Sequence, residues 1–264
     1  MRLLVQEQHL PGDTLEAKFE AALSYGFDGL ELRGKGDDGF RARLPELRRA
    51  QAHGVVMPTV CVEMLHFIGA FDPQLREDAI RQLESQLAVI AEIGGTGVMT
   101  PAAYGMFSSR LPPFVPPRSA EQDHTILVDA LGRLGEHARS CGVSVFLEPL
   151  NRYEDHMVNT LAGGAALVKE VGLPSVQLVS DSYHQNIEEA DPFLALADAA
   201  PYLGHVQASD SNRLEPGAGH VDWPLWGATL RAMNYRGDIA VESRLSAPPD
   251  VALPATAAFL RKYL

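Results

Sequence analysis

Short apolar runs alternate with amphipathic stretches along the whole chain. Residues 2–6, 29–32, 55–60, 97–100, 143–147, 176–180, 203–207 and 238–242 are mostly apolar and only a few residues long. Such runs read as strands of a parallel sheet covered on both faces. The stretches between them carry a helical period. In residues 14–25, Leu15, Phe19, Ala22 and Leu23 fall on one face and Gly26 follows as a stop. In residues 74–93, Ile80, Leu83, Leu87 and Ile90 form one stripe. Further helices are predicted over 40–53, over 119–140 with Ser119 as cap, and over 160–171. Three more cover 191–200, opening on Asp191 and Pro192, then 223–234 and 251–264. Only residues 101–118 break the rhythm, with five prolines beside Tyr104, Met106, Phe107 and Phe114. Irregular stretches of this length inside a domain usually serve as lids or binding loops.

Each strand is followed by a crossover, and eight such units close into a (β/α)8 barrel, which typically takes about 250 residues. The chain has 264 residues and no linker or break in composition, so one domain over 1–264 is expected. An open doubly wound sheet is the competing architecture. No G-x-G-x-x-G follows the first strand to support it. A hydrophobic content of 46% supplies the core. The net charge of −12 repels nucleic-acid phosphates and anionic membranes, and no Lys/Arg run offsets it. No apolar run reaches the roughly 18 residues of a membrane span. The first strand starts directly after Met1, which leaves no room for a signal peptide and points to a cytoplasmic protein. Cys61 and Cys141, set in or beside apolar segments, read as buried free thiols.

Candidate chemistry sits where four successive strands end. The stretch V-S-V-F-L-E-P ends in Glu148, the next strand in Asp181, the next in Gln207 and the last in Glu242. Their spacings of 33, 26 and 35 residues are close to one β/α unit each. In a barrel, side chains at the C-terminal strand ends converge on one mouth. Three carboxylates gathered there repel one another, and a divalent cation is the simplest stabilising partner. All four ligands are oxygens if Gln207 offers its carbonyl. That favours Mn²⁺ or Mg²⁺ over Zn²⁺, with Co²⁺ or Ni²⁺ able to occupy the same site. The bland alternative is four solvated or salt-bridged strand ends.

Further polar residues follow these tips in loops: Glu154, His184 in D-S-Y-H, and Arg213 in D-S-N-R. Each has a structural alternative. Glu154 could pair with Arg152, His184 could cap a helix, and Arg213 could be a surface charge. His205 alternates with Gln207 and suits a buried, hydrogen-bonded role. Asp222 before Trp223 and Pro224 reads as a helix cap.

The motifs E-P-L-N-R-Y-E, D-S-Y-H-Q-N-I-E-E, G-H-V-Q-A-S-D-S-N-R and V-E-S-R together resemble the sugar isomerase/epimerase superfamily of xylose-isomerase-like TIM barrels. Within it the likeness is greatest to ketose 3-epimerases, such as the D-tagatose and D-psicose 3-epimerases, and to hydroxypyruvate isomerases. The resemblance covers the second half of the chain. It implies a metal held by Glu148, Asp181, Gln207 and Glu242, with Mn²⁺, Mg²⁺ or Co²⁺ bound. It also implies Glu148 and Glu242 as an acid/base pair, and Glu154, His184 and Arg213 as substrate-binding residues. Gln207 departs from the His usual in 3-epimerases and matches the hydroxypyruvate isomerases, so the substrate, a sugar or a keto acid, stays open.

A cation that chelates a ketone and the neighbouring hydroxyl stabilises an enediolate, and a carboxylate can then move the adjacent proton. Reprotonation from the opposite face is epimerisation; at the old carbonyl carbon it is isomerisation. Three other readings compete. A dehydratase of the same superfamily would act on a keto-inositol or dehydroshikimate, and a non-catalytic sugar-binding protein would keep the fold. A phosphodiesterase of the endonuclease IV kind would need several more His ligands and a DNA partner that the charge disfavours. A homo-oligomer is compatible with the fold, although no residue specifies one.

Overall fold

The apolar runs become eight parallel strands that close on themselves in chain order, each hydrogen-bonded to the next and the last to the first. The computed structural model describes residues 1–106 and 115–264. The strands are β1 (Leu3–Gln6), β2 (Gly29–Lys35), β3 (Thr59–Glu63), β4 (Gly97–Pro101), β5 (Ser144–Glu148), β6 (Val176–Asp181), β7 (Leu203–Ala208) and β8 (Ile239–Val241). Around them lie α1 (Leu15–Ser24), α2 (Gly39–Ala42), α3 (Leu44–Ala52), α4 (Pro73–Glu92) and α5 (Ala120–Cys141). The ring continues with α6 (Leu161–Val171), α7 (Ser182–Glu188), α8 (Pro192–Asp198), α9 (Trp223–Ala232) and α10 (Pro249–Leu260). The chain is thus a (β/α)8 barrel, as the alternation predicts.

Local chemistry sets the helix starts. Ser119 and Gln122 form a reciprocal capping box at the head of α5. Thr14, Asp72, Thr160, Asp191 and Asp222 each accept a backbone N–H at the start of their helices. Most of the core lies between the ring of strands and the helices. Inside the ring, Cys61, Met99, Phe146 and Val179 form a second, small apolar cluster. Gly97 leaves room for it: a Cβ there would stand 2.6 Å from the Phe146 ring and 2.3 Å from the Ser144 carbonyl oxygen.

Several elements depart from expectation. The single helix over 40–53 is two, because the chain turns at Arg43 and Pro45 restarts it as α3. The third strand begins at Thr59 and not at 55. Pro58 cannot donate to the ladder, and the buried Val55 and Met57 make the approach look like strand in sequence. Leu23 is 51% exposed and lies off the buried face of α1. Both cysteines are free, but only Cys61 is buried while Cys141 is half-buried. Phe107 and Phe114 of the predicted lid lie outside the described residues, whereas Tyr104 is described and exposed. Among the described residues, no helix is long and apolar enough to cross a membrane.

Candidate active site

Glu148 ends β5, Asp181 ends β6, Gln207 lies one residue before the end of β7, and Glu242 follows β8. Asp181 and Gln207 are direct partners in the β6–β7 ladder. Since β5 to β8 are consecutive around the ring, the four expected ligands occupy one half of the mouth.

Each tip is held differently. Asp181 uses Oδ1 to accept the backbone N–H groups of Tyr183 and His184, at 2.7 and 3.3 Å, so it caps α7. That short helix has no apolar period, and the sequence does not betray it. The other oxygen, Oδ2, accepts from the Arg213 guanidinium at 2.7 Å. Arg213 reaches Glu242 Oε2 as well, at 3.2 Å, without lining up a hydrogen bond. Burial alone would depress the Arg213 pKa, but Asp181 and Glu242 outweigh it and hold the group firmly cationic. Arg213 has a φ of 62°, in the left-handed region. Backbone bonds from its own N–H to Asp210 and from Arg244 N–H to its carbonyl lock that turn. Its guanidinium lies over the Tyr183 ring, 4.9 Å from the centroid. Asp210, wholly buried, braces the same loop by accepting from Ser211, Gly217, Val221 and the Trp223 indole.

Glu148 is buried, and its Oε1 has no hydrogen-bond partner. Burial, followed by the nearby charges of Glu242 and Asp181, lifts its pKa well above the ordinary carboxylate range. Gln207 Nε2 donates to Glu31 Oε2 at 3.1 Å and contacts Met99 Sδ at 2.9 Å. Its carbonyl oxygen, Oε1, is buried without a partner. Unpaired acceptor oxygens on Glu148, Gln207 and Glu242, beside Asp181 and Arg213, are a donor set that suits a hard cation.

Glu148, Asp181 and His184 also offer one ligand atom each within 4.8 Å of one another. The hydrogen bonds argue for a different role for His184. Its Nδ1 accepts from the backbone N–H of Asn151 at 3.0 Å, with the Asn151 amide nitrogen 2.8 Å away. Burial, then the Arg213 charge, pushes its pKa down to about 4, so the ring is neutral at pH 7. The proton therefore sits on Nε2, which faces Glu148 Oε1 at 3.8 Å as a donor. Asn151 also donates to Glu154 at 3.1 Å and so ties two of the expected substrate-binding residues together. Glu154 does not pair with Arg152, which turns outward to Glu188 at 2.9 Å.

Glu148, Glu154, His184, Arg213 and Glu242 line one cavity of about 520 Å³ at the mouth. Its far wall mixes Arg33, Cys61 and Glu63 with Phe67 and Tyr104. Cys61 Sγ lies 3.7 Å from Glu242 Oε1. Sequence reasoning missed Asn151, Tyr183, Asp210 and Glu31 as parts of the site. For Glu31 a signal existed: an acid inside the apolar run G-L-E-L. The inward role read for His205 holds, since its Nε2 meets Glu31 at 2.7 Å.

A family model described as a xylose isomerase-like TIM barrel matches residues 19–263. The chain is 39% identical over 248 residues to the 3-dehydro-D-guloside 4-epimerase of Escherichia coli K12, covering 94% of each. It is 38% identical over 120 residues to the D-psicose 3-epimerase of Agrobacterium fabrum, covering 46% of this chain and 42% of that one. Among solved structures, the apo form of a 3-keto-D-glucoside 4-epimerase from E. coli matches with a TM-score of 0.93 at 38% identity over 99% of both chains. With one model spanning nearly its whole length and a relative this similar from end to end, the chain belongs to the xylose isomerase-like TIM barrel family.

Proposed function

We propose that this protein is a divalent-metal-dependent epimerase that inverts the carbon next to the ketone of a keto-sugar or keto-glycoside. The observation that carries this reading is the convergence of Asp181 and Glu242 on one arginine, with Glu148 close to Asp181 and buried, unpartnered oxygens left on Glu148 and Gln207. The relatives agree in chemistry. A 3-dehydro-guloside 4-epimerase and a psicose 3-epimerase both invert a carbon adjacent to a carbonyl.

In this reading Glu148, Asp181, Gln207 and Glu242 hold the ion, Mn²⁺ or Mg²⁺, with Co²⁺ tolerated. The bound ion supplies positive charge that polarises the ketone and acidifies the neighbouring C–H. Glu148 and Glu242 stand three strands apart around the ring, so they approach a bound sugar from two sides. One removes the proton from its face, and the other returns a proton to the opposite face. His184 offers its Nε2–H to a substrate oxygen, held in that tautomer by Asn151. Glu154 accepts a substrate hydroxyl. Arg213 restrains Asp181 and Glu242 and closes the site on the side of Tyr183.

Solvent exchange tests this directly. The Mn²⁺-loaded protein is incubated in D₂O with a methyl 3-keto-hexoside, tagatose, psicose, fructose and hydroxypyruvate, and followed by NMR. Deuterium at carbon 4 of the keto-hexoside or carbon 3 of a ketose, together with the epimer, is expected. Exchange at carbon 1 with an aldehyde product would mean isomerisation instead. Metal bound without exchange in any substrate would overturn the acid–base roles of Glu148 and Glu242.

A further inference from the structure

Beneath the four tips, one carboxylate spans the inside of the barrel. Glu31, on β2, is wholly buried. Its Oε1 accepts from Thr59 Oγ1 of β3 at 3.0 Å and faces His205 Nε2 of β7 at 2.7 Å. Its Oε2 accepts from Gln6 Nε2 of β1 at 3.0 Å and from Gln207 Nε2 of β7 at 3.1 Å. A single side chain thereby ties three other strands together, one of them on the far side of the ring.

The consequence for Gln207 is directional. An ionised carboxylate accepts hydrogen bonds and cannot donate them. The Gln207 amide must therefore present its NH₂ to Glu31, and its carbonyl oxygen is turned away. That oxygen is the atom left buried without a partner. A reversed amide would set two acceptor oxygens face to face at about 3 Å in a buried space, with a desolvated donor left unpaired. Thr59 and His205 occupy the other oxygen of Glu31, so the carboxylate cannot rotate to accommodate the reversal.

We propose that Glu31 is a positioning residue for the cation site: it orients the Gln207 amide so that its carbonyl oxygen joins Glu148, Asp181 and Glu242. The inference rests on the reading of those tips as a cation site. Glu31 does not line the substrate cavity and reaches the cation site through Gln207. The same geometry explains how a glutamine, which has one acceptor and one donor end, serves as a dependable ligand. The carboxylate below selects the acceptor end, as partners of metal-bound side chains generally do.

Mn²⁺ binding to the chelator-stripped full-length protein, measured by EPR of free Mn²⁺, provides the test without reference to turnover. Glu31→Gln can turn either a carbonyl or an NH₂ toward Gln207, so the end of the Gln207 amide is no longer fixed and the affinity for Mn²⁺ should fall by about 10-fold. In the double variant Glu31→Gln/Gln207→Glu, donor and acceptor trade places and net charge is unchanged. A carboxylate oxygen then meets the ion whichever way the side chain turns, and the lost affinity should return. A role confined to packing predicts lower thermal stability for Glu31→Gln with wild-type Mn²⁺ affinity, which would overturn the inference. A double variant no tighter than the single one would overturn it as well. If Glu31→Gln does not fold, NMR of the wild type decides. Mg²⁺ should shift the Gln207 carbonyl carbon while its NH₂ protons stay hydrogen-bonded, and the reverse pattern refutes the assignment. Wild-type protein that binds no Mn²⁺ removes the cation reading itself. Wild type and Glu31→Gln binding equally well removes only the role of Glu31.

Discussion

Asp155 sits in the loop after β5 and is completely buried. Its carboxylate accepts the backbone N–H groups of His156, Met157 and Val158 at 2.6, 3.0 and 3.5 Å. These bonds favour the charged form, yet burial outweighs them and raises the pKa to about 7. The folded state thus holds a proton that the unfolded chain has already released above its ordinary pKa of about 4. Stability contributed by this group is complete at low pH and falls as pH rises toward 7, after which the loss levels off. Between pH 6 and pH 8 the wild type should lose about 1.4 kcal/mol from this group alone. Asp155→Asn keeps the acceptor oxygen without the titration. Urea unfolding at both pH values should therefore show a flatter pH dependence for the variant, and identical slopes would refute the assignment. Nothing in the run Y-E-D-H announces this burial, because a loop acid looks solvated until the chain is folded over it. The same limit hid the true partners of Glu154 and Arg152. By contrast, Asp191 and Asp222 could be placed from sequence as caps, because each acts on residues within three positions of itself.

At the level of elements, two glycines carry opposite expectations. Gly97 opens β4 where a Cβ would collide with the Ser144 carbonyl oxygen at 2.3 Å, and backbone cannot yield cheaply. Gly132 lies within α5 with nothing within 4 Å of its would-be Cβ. Gly97→Ala should cost about 1–3 kcal/mol through overpacking against Phe146 and the neighbouring strand. Gly132→Ala should stabilise α5 by roughly 0.5–1 kcal/mol through lower backbone entropy in the unfolded chain. Thermal unfolding of the two variants checks the pair, and shifts of the same sign would contradict the packing described for the barrel interior. Strands and long helices were legible because their apolar periods report which face is buried. Elements without such a period were not. The helix α7 is fixed by the Asp181 cap and by the burial of His184 and Gln185, and the break between α2 and α3 by a single proline. The early start read for β3 has the same origin, since apolar loop residues packed under a barrel are indistinguishable from strand by composition.

On the scale of the whole molecule, the barrel converts sequence spacing into angular position. That is why the tips at 148, 181, 207 and 242 could be placed on one half of the mouth before any coordinates. A contact across the barrel, such as Glu31 to Gln207, has no spacing rule and could not be read in advance. The assembled mouth is electrostatically unbalanced. Asp181 and Glu242 share Arg213, and Glu148 beside them pairs with no cation among the described residues, in a chain whose net charge is already −12. Without a cation, Glu148 suffers both burial and the repulsion of its neighbours, and each disfavours its charge. Two effects of opposite sign follow for Glu148→Gln. In the presence of EDTA the variant should melt above the wild type, because an acid whose ionisation the folded site disfavours has been replaced by a group that does not titrate. With Mn²⁺ added, the wild type should gain stability as RT ln(1 + [Mn²⁺]/Kd), about 2.7 kcal/mol at a hundredfold excess over Kd. That corresponds to roughly 5 °C or more for a chain of this size. The variant, short of one ligand, should gain much less, so the order of the two melting temperatures narrows or reverses as Mn²⁺ is titrated in. A general salt effect would raise both curves in parallel and would be reproduced by KCl of equal ionic strength. Only an ion held by these strand ends moves the two proteins by different amounts.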